Sequence, residues 1–350
     1  MSKQLIRLFL VTIPLLWGSC APIHEDLDRC EIYLEFVYDY NLEYTDSFIA
    51  NVETVDVFVF DNEGKFLFTK HADCATELID GKRMSLAGEL KFGIYRVLTV
   101  GGLSESFSFA DRAGEDFVPN VTTIEEATLR LKRKSNIHDG EFEPLWFGEE
   151  VVVKYLPEQI EDKVYDVDLI KDTNVFNFVL YRQDAPNGEI PTYDGRPNGM
   201  VPPYTFEIVT PEGAVYGHNN EPITTESLRY TAYKLSPGVT ENSYAVGSVN
   251  TVRLMDAYVK GQDSGYRLVV RNRRTLKEAW NIDLMELLTE MNWGYDQYRF
   301  ADMQEFLDRK SVWDIIIRHQ GGGPDEEHDA FIGLAIQIGP WIKWYTDMPL

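Results

Sequence analysis

Alternating apolar and polar residues dominate the chain after residue 30 and predict strands. Ile32, Leu34 and Phe36 alternate with polar neighbours, which is the period-two pattern of a half-buried strand. The run Val55–Phe60 is apolar on both faces, so we expect it in the middle of a sheet that is covered on both sides. Turn signals rich in Gly, Pro, Asn and Asp separate these short runs, as in β-sandwiches.

The second half of the chain repeats this pattern. Val175–Tyr181 opens a new set of strands. The pairs Glu63-Gly64 and Glu212-Gly213 each end a turn between two apolar runs, which suggests one diverged sandwich plan in each half. We therefore predict a mainly all-β fold of two tandem β-sandwich domains.

The chain ends in a predicted hairpin, in which Val312–Arg318 pairs with Phe331–Ile338. Helical spacing and capping signals predict a few short helices as well. The candidate helices are Thr122–Arg133, Asp283–Asn292 and Phe300–Leu307.

The first twenty residues have the composition of an export signal. Lys3 and Arg7 precede the nearly unbroken apolar run Leu8–Trp17, and small residues lead into Cys20. Such a run rises only about 15 Å as a helix, too short to cross a hydrocarbon core of about 30 Å. The end of the segment resembles a bacterial lipoprotein box, which implies lipidation of Cys20. Ordinary signal cleavage and a retained anchor helix are the alternatives.

These boundaries divide the chain into four segments. Residues 1–19 are the expected signal peptide, and the polar residues 20–29 form a lipidated tether. Residues 30–172 are the predicted N-terminal β-sandwich, and residues 173–350 are the C-terminal one.

Net charge and cysteine content restrict the partners and the covalent links. The formal charge of −24 at pH 7 disfavours nucleic acid and anionic lipid surfaces, which would repel the chain. Cys30 and Cys74 follow Cys20 and would be exported to a compartment where disulfides persist. A disulfide between them is possible, and two partly buried free thiols are the alternative.

No catalytic, cofactor or metal site emerges from the sequence. The six histidines are scattered without metal-ligand spacing. Asp325–Asp329 and Asp61–Gly64 offer hard oxygen ligands for Ca²⁺, but a solvated hairpin tip and a hairpin turn explain them more simply. No serine or cysteine lies in a nucleophile motif such as G-x-S-x-G. We therefore expect no enzyme and no small-molecule substrate.

Five strings, in their order along the chain, form a recognisable set. They are CEIYLEFVYDYN (30–41), VDVFVFDNEGKF (55–66), YRVLTVGGL (95–103), RLVVRNRRTLKEAWNIDLMEL (267–287) and 311–318 with the tryptophan-bearing tail. Together they resemble the minor-fimbrium anchor and accessory subunits of Bacteroidales pili. The resemblance implies an outer-membrane lipoprotein with two tandem transthyretin-like domains, whose partners are fimbrial (pilin) subunits bound by β-strand addition.

The sequence thus predicts a non-enzymatic lipoprotein that anchors or caps a fimbrium and helps to control fibre length. A surface glycan-binding lipoprotein of a nutrient-uptake system is the alternative function. Aromatic residues near the C-terminus suit either one, because they can pack in a core or interface, or stack on sugar rings.

Overall fold

The computed structural model describes residues 30–86, 88–182, 202–237, 243–295, 299–320, 330–338 and 341–345. Strands are by far the commonest regular element in these ranges, and the helices are short, so the predicted mainly β fold with a few short helices is confirmed. The strands are β1 (Ile32–Val37), β2 (Thr54–Asp61), β3 (Phe66–Asp73), β4 (Arg83–Ser85), β5 (Gly93–Gly101), β6 (Phe107–Ala110), β7 (Thr128–Leu131), β8 (Ile137–His138), β9 (Trp146–Tyr155), β10 (Lys163–Lys171), β11 (Thr173–Arg182), β12 (Tyr204–Thr210), β13 (Val215–Gly217), β14 (Leu228–Thr231), β15 (Lys234–Ser236), β16 (Ser243–Val252), β17 (Arg267–Asn272), β18 (Glu278–Asp283), β19 (Val312–Gln320), β20 (Ala330–Ile338) and β21 (Trp341–Tyr345). The α-helices are α1 (Phe48–Asn51), α2 (Leu284–Tyr295) and α3 (Met303–Arg309).

The first half is built on a seven-stranded sheet in the order β3-β2-β5-β9-β10-β1-β4. Each of these strands contributes apolar side chains to one shared core, which we call the first core. Phe36, Val57 and Trp146 are among its fully or nearly fully buried members. Lys70 of β3 donates a hydrogen bond to the Ser85 carbonyl oxygen of β4 at 2.8 Å, so the two edge strands of this sheet approach each other and the sheet curls around the first core.

Strand β2 is apolar on both faces because it separates two cores. Val55, Val57 and Val59 pack in the first core, whereas Phe58 and Phe60 pack in a second one on the opposite face of the sheet. The expectation that this strand lies inside a sheet covered on both sides is confirmed.

The second half contains a six-stranded sheet, β15-β16-β11-β19-β20-β21, and a five-stranded sheet, β18-β17-β12-β14-β8. Both sheets direct buried side chains into the second core. Phe178 of β11 stacks on Phe206 of β12, with ring centroids 4.9 Å apart. The two sheets therefore pack face to face as a sandwich.

The two halves share strands as well as core. β13 pairs with β7 in a three-stranded sheet that also contains β6, and β8 joins the five-stranded sheet beside β14. The second core includes Phe107 and Leu129 of the first half beside Phe206 and Trp313 of the second half. The predicted division between residues 172 and 173 stays a prediction, and strand pairing and packing cross it.

Each half pairs its opening strand in parallel with a later one. β1 lies parallel to β10, and β11 lies parallel to β19. β10 and β11 are separated only by Asp172, which is 1% exposed. This correspondence supports the idea of a repeated plan.

The terminal hairpin is confirmed, since β19 and β20 pair antiparallel. The helices near 283–292 and 300–307 are also found, as α2 and α3. The predicted helix Thr122–Arg133 is wrong. Its capping box, Thr123 and Glu126, starts only a 3₁₀ turn, and residues 128–131 then form β7 between β6 and β13.

The two Glu-Gly turns share their backbone conformation but lead into strands with different partners. Gly64 and Gly213 both adopt positive φ, at 81° and 102°. β2 and β3 form a hairpin around the first turn, whereas β13 leaves β12 and pairs with β7. The turn chemistry was predictable, but the partner of the returning strand was not.

Candidate functional site: a terminal sheet edge and the junction between the halves

The predicted site residues are not brought together. Cys20 lies outside the described residues, and so does the acidic segment 325–329. Cys30 and Cys74 are free thiols, in contrast to the disulfide considered from the sequence. Cys30 Sγ donates a hydrogen bond to the Gln159 carbonyl oxygen at 3.2 Å. Cys74 is buried in the first core, and burial raises the pKa of its thiol to about 12.

The Asp61–Gly64 segment is a hairpin turn, as the simpler explanation predicted. Asp61 Oδ1 accepts hydrogen bonds from the backbone N–H groups of Glu63 and Lys65, both at 2.9 Å. This carboxylate oxygen is thus used by the turn itself. Across the residues that the structure describes, no group of three or more His, Cys, Asp and Glu side chains is placed to hold a metal ion.

Among the residues that the structure describes, the six-stranded sheet ends in β21, whose residues Trp341–Tyr345 pair with β20 on one side and with no strand on the other. Its sequence is WIKWY, and β20 beside it reads AFIGLAIQI. An apolar edge strand presents unpaired backbone N–H and C=O groups to another chain. We call β20 and β21 together the terminal edge.

Other long edges carry features that discourage pairing. The outer edge of β3 bears Lys70, His71 and Asp73, and its first residue, Phe66, already exchanges backbone hydrogen bonds with residues 120 and 122 at 2.8 Å. β18 bears Glu278 and Asp283. Charged residues on an edge are a known means of preventing unwanted sheet extension. Lys343 is the single charged residue of β21.

A buried polar cluster lies at the junction between the halves. Arg253, just after β16, makes two bonds of 2.7 Å to the carboxylate of Asp308 in α3. Its third bond, also 2.7 Å, goes to the backbone oxygen of Asn220. The Arg253 and Asp308 side chains are 9% and 3% exposed. Paired, bidentate geometry is what permits such charges to be buried.

Asp172 lies behind this pair at the single residue that joins β10 to β11. Its N–H bonds the Leu145 oxygen at 2.8 Å, and its Oδ1 accepts from Asn220 Nδ2 at 2.9 Å. Burial raises the pKa of the Asp172 carboxyl to about 7, although Arg253 and Asn220 act in the opposite direction. Asp172, which we call the joint, is therefore held by hydrogen bonds through both its backbone N–H and its side-chain carboxyl group.

A cleft of about 350 Å³ opens beside this cluster. Phe147, Ile170, His218 and Arg253 are among the residues that line it. Two oxygen atoms of the polar cluster, Asn220 Oδ1 and Asp172 Oδ2, are buried and have no hydrogen-bond partner among the described atoms. Polar oxygens in this state are usually satisfied by an ordered water molecule.

A second connection, which we call the clasp, joins the loop after β1 to α3. The Arg309 guanidinium lies 4.1 Å from the ring centroids of both Tyr40 and Tyr44. It also donates to the backbone oxygens of Asp39 and Asn41, at 3.0 and 3.2 Å. Cation–π contact and two hydrogen bonds on one side chain tie the start of the first half to the second.

Sequence reasoning did not identify the junction cluster or the clasp. Arg253 and Asp308 are 55 residues apart, and nothing in their local patterns links them. Asp308 is buried like its neighbours Phe306 and Leu307, and a buried carboxylate indicates a paired charge, but the local sequence does not identify the partner. The sequence predicted β20 as part of the terminal hairpin, but it did not predict that Trp341–Tyr345 forms a further strand, β21, at the end of the sheet.

These features define a mainly β protein of packed sheets, whose two halves share a buried core and meet at a buried polar cluster. Among the described residues, no helix combines the length and apolar character that crossing a bilayer requires.

The family follows from comparison with known proteins. A family model described as Mfa2, fimbrillin-A associated anchor proteins Mfa1 and Mfa2, matches residues 27–347. This chain belongs to that family. It is a fimbrium-associated protein of a structural family, as its sequence motifs indicated. A search of curated proteins gave no match.

Solved structures agree with this assignment. A candidate adhesin from Bacteroides ovatus is 40% identical, with a TM-score of 0.76 over 95% of this chain and all of that one. A candidate polysaccharide-binding protein from Bacteroides thetaiotaomicron is 26% identical, with a TM-score of 0.71 over 90% of this chain and 98% of its own. The fimbrial anchor protein Mfa2 from Porphyromonas gingivalis shares the fold, at 16% identity and a TM-score of 0.61 over 89% of this chain and 98% of that one.

Proposed function

We propose that this protein is a lipid-anchored, non-enzymatic subunit that attaches a fimbrium to the outer membrane and helps to limit fibre length. The terminal edge carries this proposal. Its outer strand β21 is mostly apolar in sequence and has a partner on one side only within the described part of the chain, and the chain belongs to an anchor family. Such an edge can accept an extended segment of a neighbouring fimbrial subunit, with main-chain hydrogen bonds supplying affinity.

Lipid on Cys20 provides the membrane end of this mechanism. Acyl chains contribute about 0.8 kcal/mol for each buried CH₂, so several chains on one cysteine hold a protein firmly where one chain does not. The polar residues 21–29 then give the folded part its reach from the bilayer. The predicted lipid anchor at Cys20 and the proposed fimbrial contact at the terminal edge lie far apart in the sequence.

Co-purification from the native outer membrane tests both ends. Wild-type protein is compared with Cys20→Ala and with Ile342→Asp, which places a charge on the terminal edge. Thr69→Asp, at an exposed position of edge strand β3, is the matched control. We expect wild type and the control to bring down fimbrial subunits from the membrane. Cys20→Ala should release fimbriae into the medium, and Ile342→Asp should stay in the membrane without them.

A second candidate function is glycan binding at the cell surface. It is favoured by the relative described as a polysaccharide-binding protein, at 26% identity. Recovery of polysaccharide without fimbrial subunits in the same experiment would replace the fimbrial proposal with this one. Equal recovery of fimbrial subunits with Ile342→Asp and wild type would remove the terminal edge from the mechanism.

A further inference from the structure

The first strand of the fold enters it in a particular direction. β1 follows the predicted tether and lies between β10 and β4. It pairs in parallel with β10 over six residue pairs, from Ile32 opposite Lys163 to Val37 opposite Asp168. β10 continues through Asp172 directly into β11 of the second half. The tether and the second half are thus attached to opposite ends of the same strand pair.

This arrangement decides how tension acts on the pair. A pull on the tether acts at the Ile32 end of β1, while the rest of the chain holds β10 at its Lys171 end. In a parallel pair these are opposite ends, so the force runs along both strands. All hydrogen bonds between β1 and β10 must then be loaded together. Had the strands been antiparallel, the same pull would have opened them one bond at a time.

We infer that the β1–β10 pair is a shear clamp through which the protein holds a fimbrium under tension. The inference rests on the proposed function, since it takes the membrane attachment to be at Cys20. It gives the parallel pairing of β1 with β10 a mechanical role. Neither membrane attachment nor strand addition at the terminal edge requires these two strands to be parallel.

The load has a continuous route beyond this clamp. Asp172 is the one residue between β10 and β11, and it is buried and bonded through both N–H and carboxyl group. β11 pairs in parallel with β19 over eight residue pairs, from Val175 opposite Val312 to Arg182 opposite His319. β19 in turn pairs with β20 of the terminal edge. A second parallel pair therefore connects the joint to the proposed fimbrial contact.

Side chains reinforce the loaded strand at its start and along its length. The backbone N–H of Glu31 bonds Asp162 Oδ1 at 2.7 Å, and the Lys163 N–H bonds the Glu31 oxygen at 3.0 Å. Glu35 forms ion pairs of 2.5 Å with Lys82 and with Arg83, on the β4 side. These contacts lie on both flanks of β1, so sliding the strand breaks them at the same time as the backbone bonds.

The clasp lies just beyond the other end of β1. Should β1 slide out, the next segment to be pulled is the loop that holds Tyr40 and Tyr44 against Arg309. Because this loop is attached to α3 of the second half, the contacts of the clasp would resist further extraction of the N-terminal strand.

Single-molecule force measurement tests the clamp by changing the pulling direction. The whole chain from residue 20 carries a biotin tag in place of the predicted lipid, and the second handle is a cysteine in a Cys30→Ser, Cys74→Ala background. Glu149→Cys puts this handle next to Gly148, which pairs with Leu169 near the end of β10. Lys163→Cys puts it at the start of β10, opposite Ile32 at the start of β1. Both positions are exposed.

We expect the first rupture to need a severalfold larger force with the Glu149 handle, which shears the pair, than with the Lys163 handle, which unzips it. Equal forces, or a larger force with the Lys163 handle, would overturn the clamp. Matching far-UV circular dichroism spectra establish that both variants fold. If either cysteine variant does not fold, azide-bearing residues at Asp168 and Glu161 replace the handles at Glu149 and Lys163, respectively, and the comparison is repeated. Neither lipid nor fimbrial subunit is present, so this result is independent of the co-purification experiment.

Discussion

Arg253 and Asp308 form a bidentate ion pair at the junction, with both bonds 2.7 Å long and neither side chain more than 9% exposed. The pair joins the end of β16 to α3, and the third Arg253 bond reaches the backbone of Asn220. Because these charges are withdrawn from water, each depends on the other for its stability in the folded protein.

Removal of one partner should therefore be costly. We expect Asp308→Ala to lower the free energy of unfolding by about 3–5 kcal/mol, since Arg253 is left buried without its counterion. Glu63→Ala is the control, because Glu63 is 76% exposed in its ion pair with Lys65. That change should cost less than about 1 kcal/mol. Urea denaturation measures both, and similar losses would contradict the role assigned to the buried pair.

Asp172 should make the stability depend on pH. Its folded-state pKa of about 7 is above the ordinary value of 3.8, so the folded chain holds this proton more tightly than the unfolded chain does. The stabilisation is complete below the ordinary pKa and is lost as pH rises through about 7. Relative to Asp172→Asn, the wild type should lose up to about 4 kcal/mol between pH 4 and pH 8. A difference between the two proteins that stays constant with pH would show that Asp172 does not titrate in this way.

Two glycines with positive φ should differ in their tolerance of alanine. At Gly102, with φ 71°, a Cβ would lie 2.4 Å from the Pro144 carbonyl oxygen, whereas at Gly261, with φ 78°, it would meet nothing within 4 Å. Both changes carry the backbone cost of about 1 kcal/mol. Gly102→Ala must also displace main chain, so its melting temperature should fall well below that of Gly261→Ala. Equal melting temperatures would mean that the turn after β5 yields easily.

The clasp should protect the loop after β1. Arg309→Ala removes the contacts with Tyr40 and Tyr44 and two hydrogen bonds to the loop backbone. If these are worth about 1.4 kcal/mol together, amide hydrogen exchange in residues 39–47 should become about tenfold faster. Arg309→Lys keeps the charge but not the stacking, and we expect an intermediate rate. Exchange in β7, away from the clasp, is the internal reference and should not change.

The sequence predicted those features that depend on local pattern. The two apolar faces of β2 placed it between two covered surfaces, because an alternating strand records which of its sides are buried. The terminal hairpin and the two helices followed from periodicity as well. The same local reasoning identified the Asp61 turn, since Asp and Gly supply the bonds and the positive φ that the turn needs.

Features set by distant partners were not predictable. The capping box at Thr123 is present, but the residues after it pair with β6 and β13 and therefore form β7 in place of a helix. β13 lies far along the chain, with Tyr216 opposite Leu129, so no local signal announces the pairing. The junction cluster and the clasp likewise join residues far apart in sequence, and tertiary packing decided their geometry.

The second core has a consequence for cooperativity. It is assembled from both sides of Asp172, and two strand pairings cross the same boundary. A fragment that ends after β10 would lose the contact of Phe142 with Tyr230 and the pairing of β7 with β13. A fragment that begins at β11 would lose the partners of β13 and β14. Because the second core spans the predicted boundary between residues 172 and 173, we expect the whole chain from β1 to β21 to melt in a single transition.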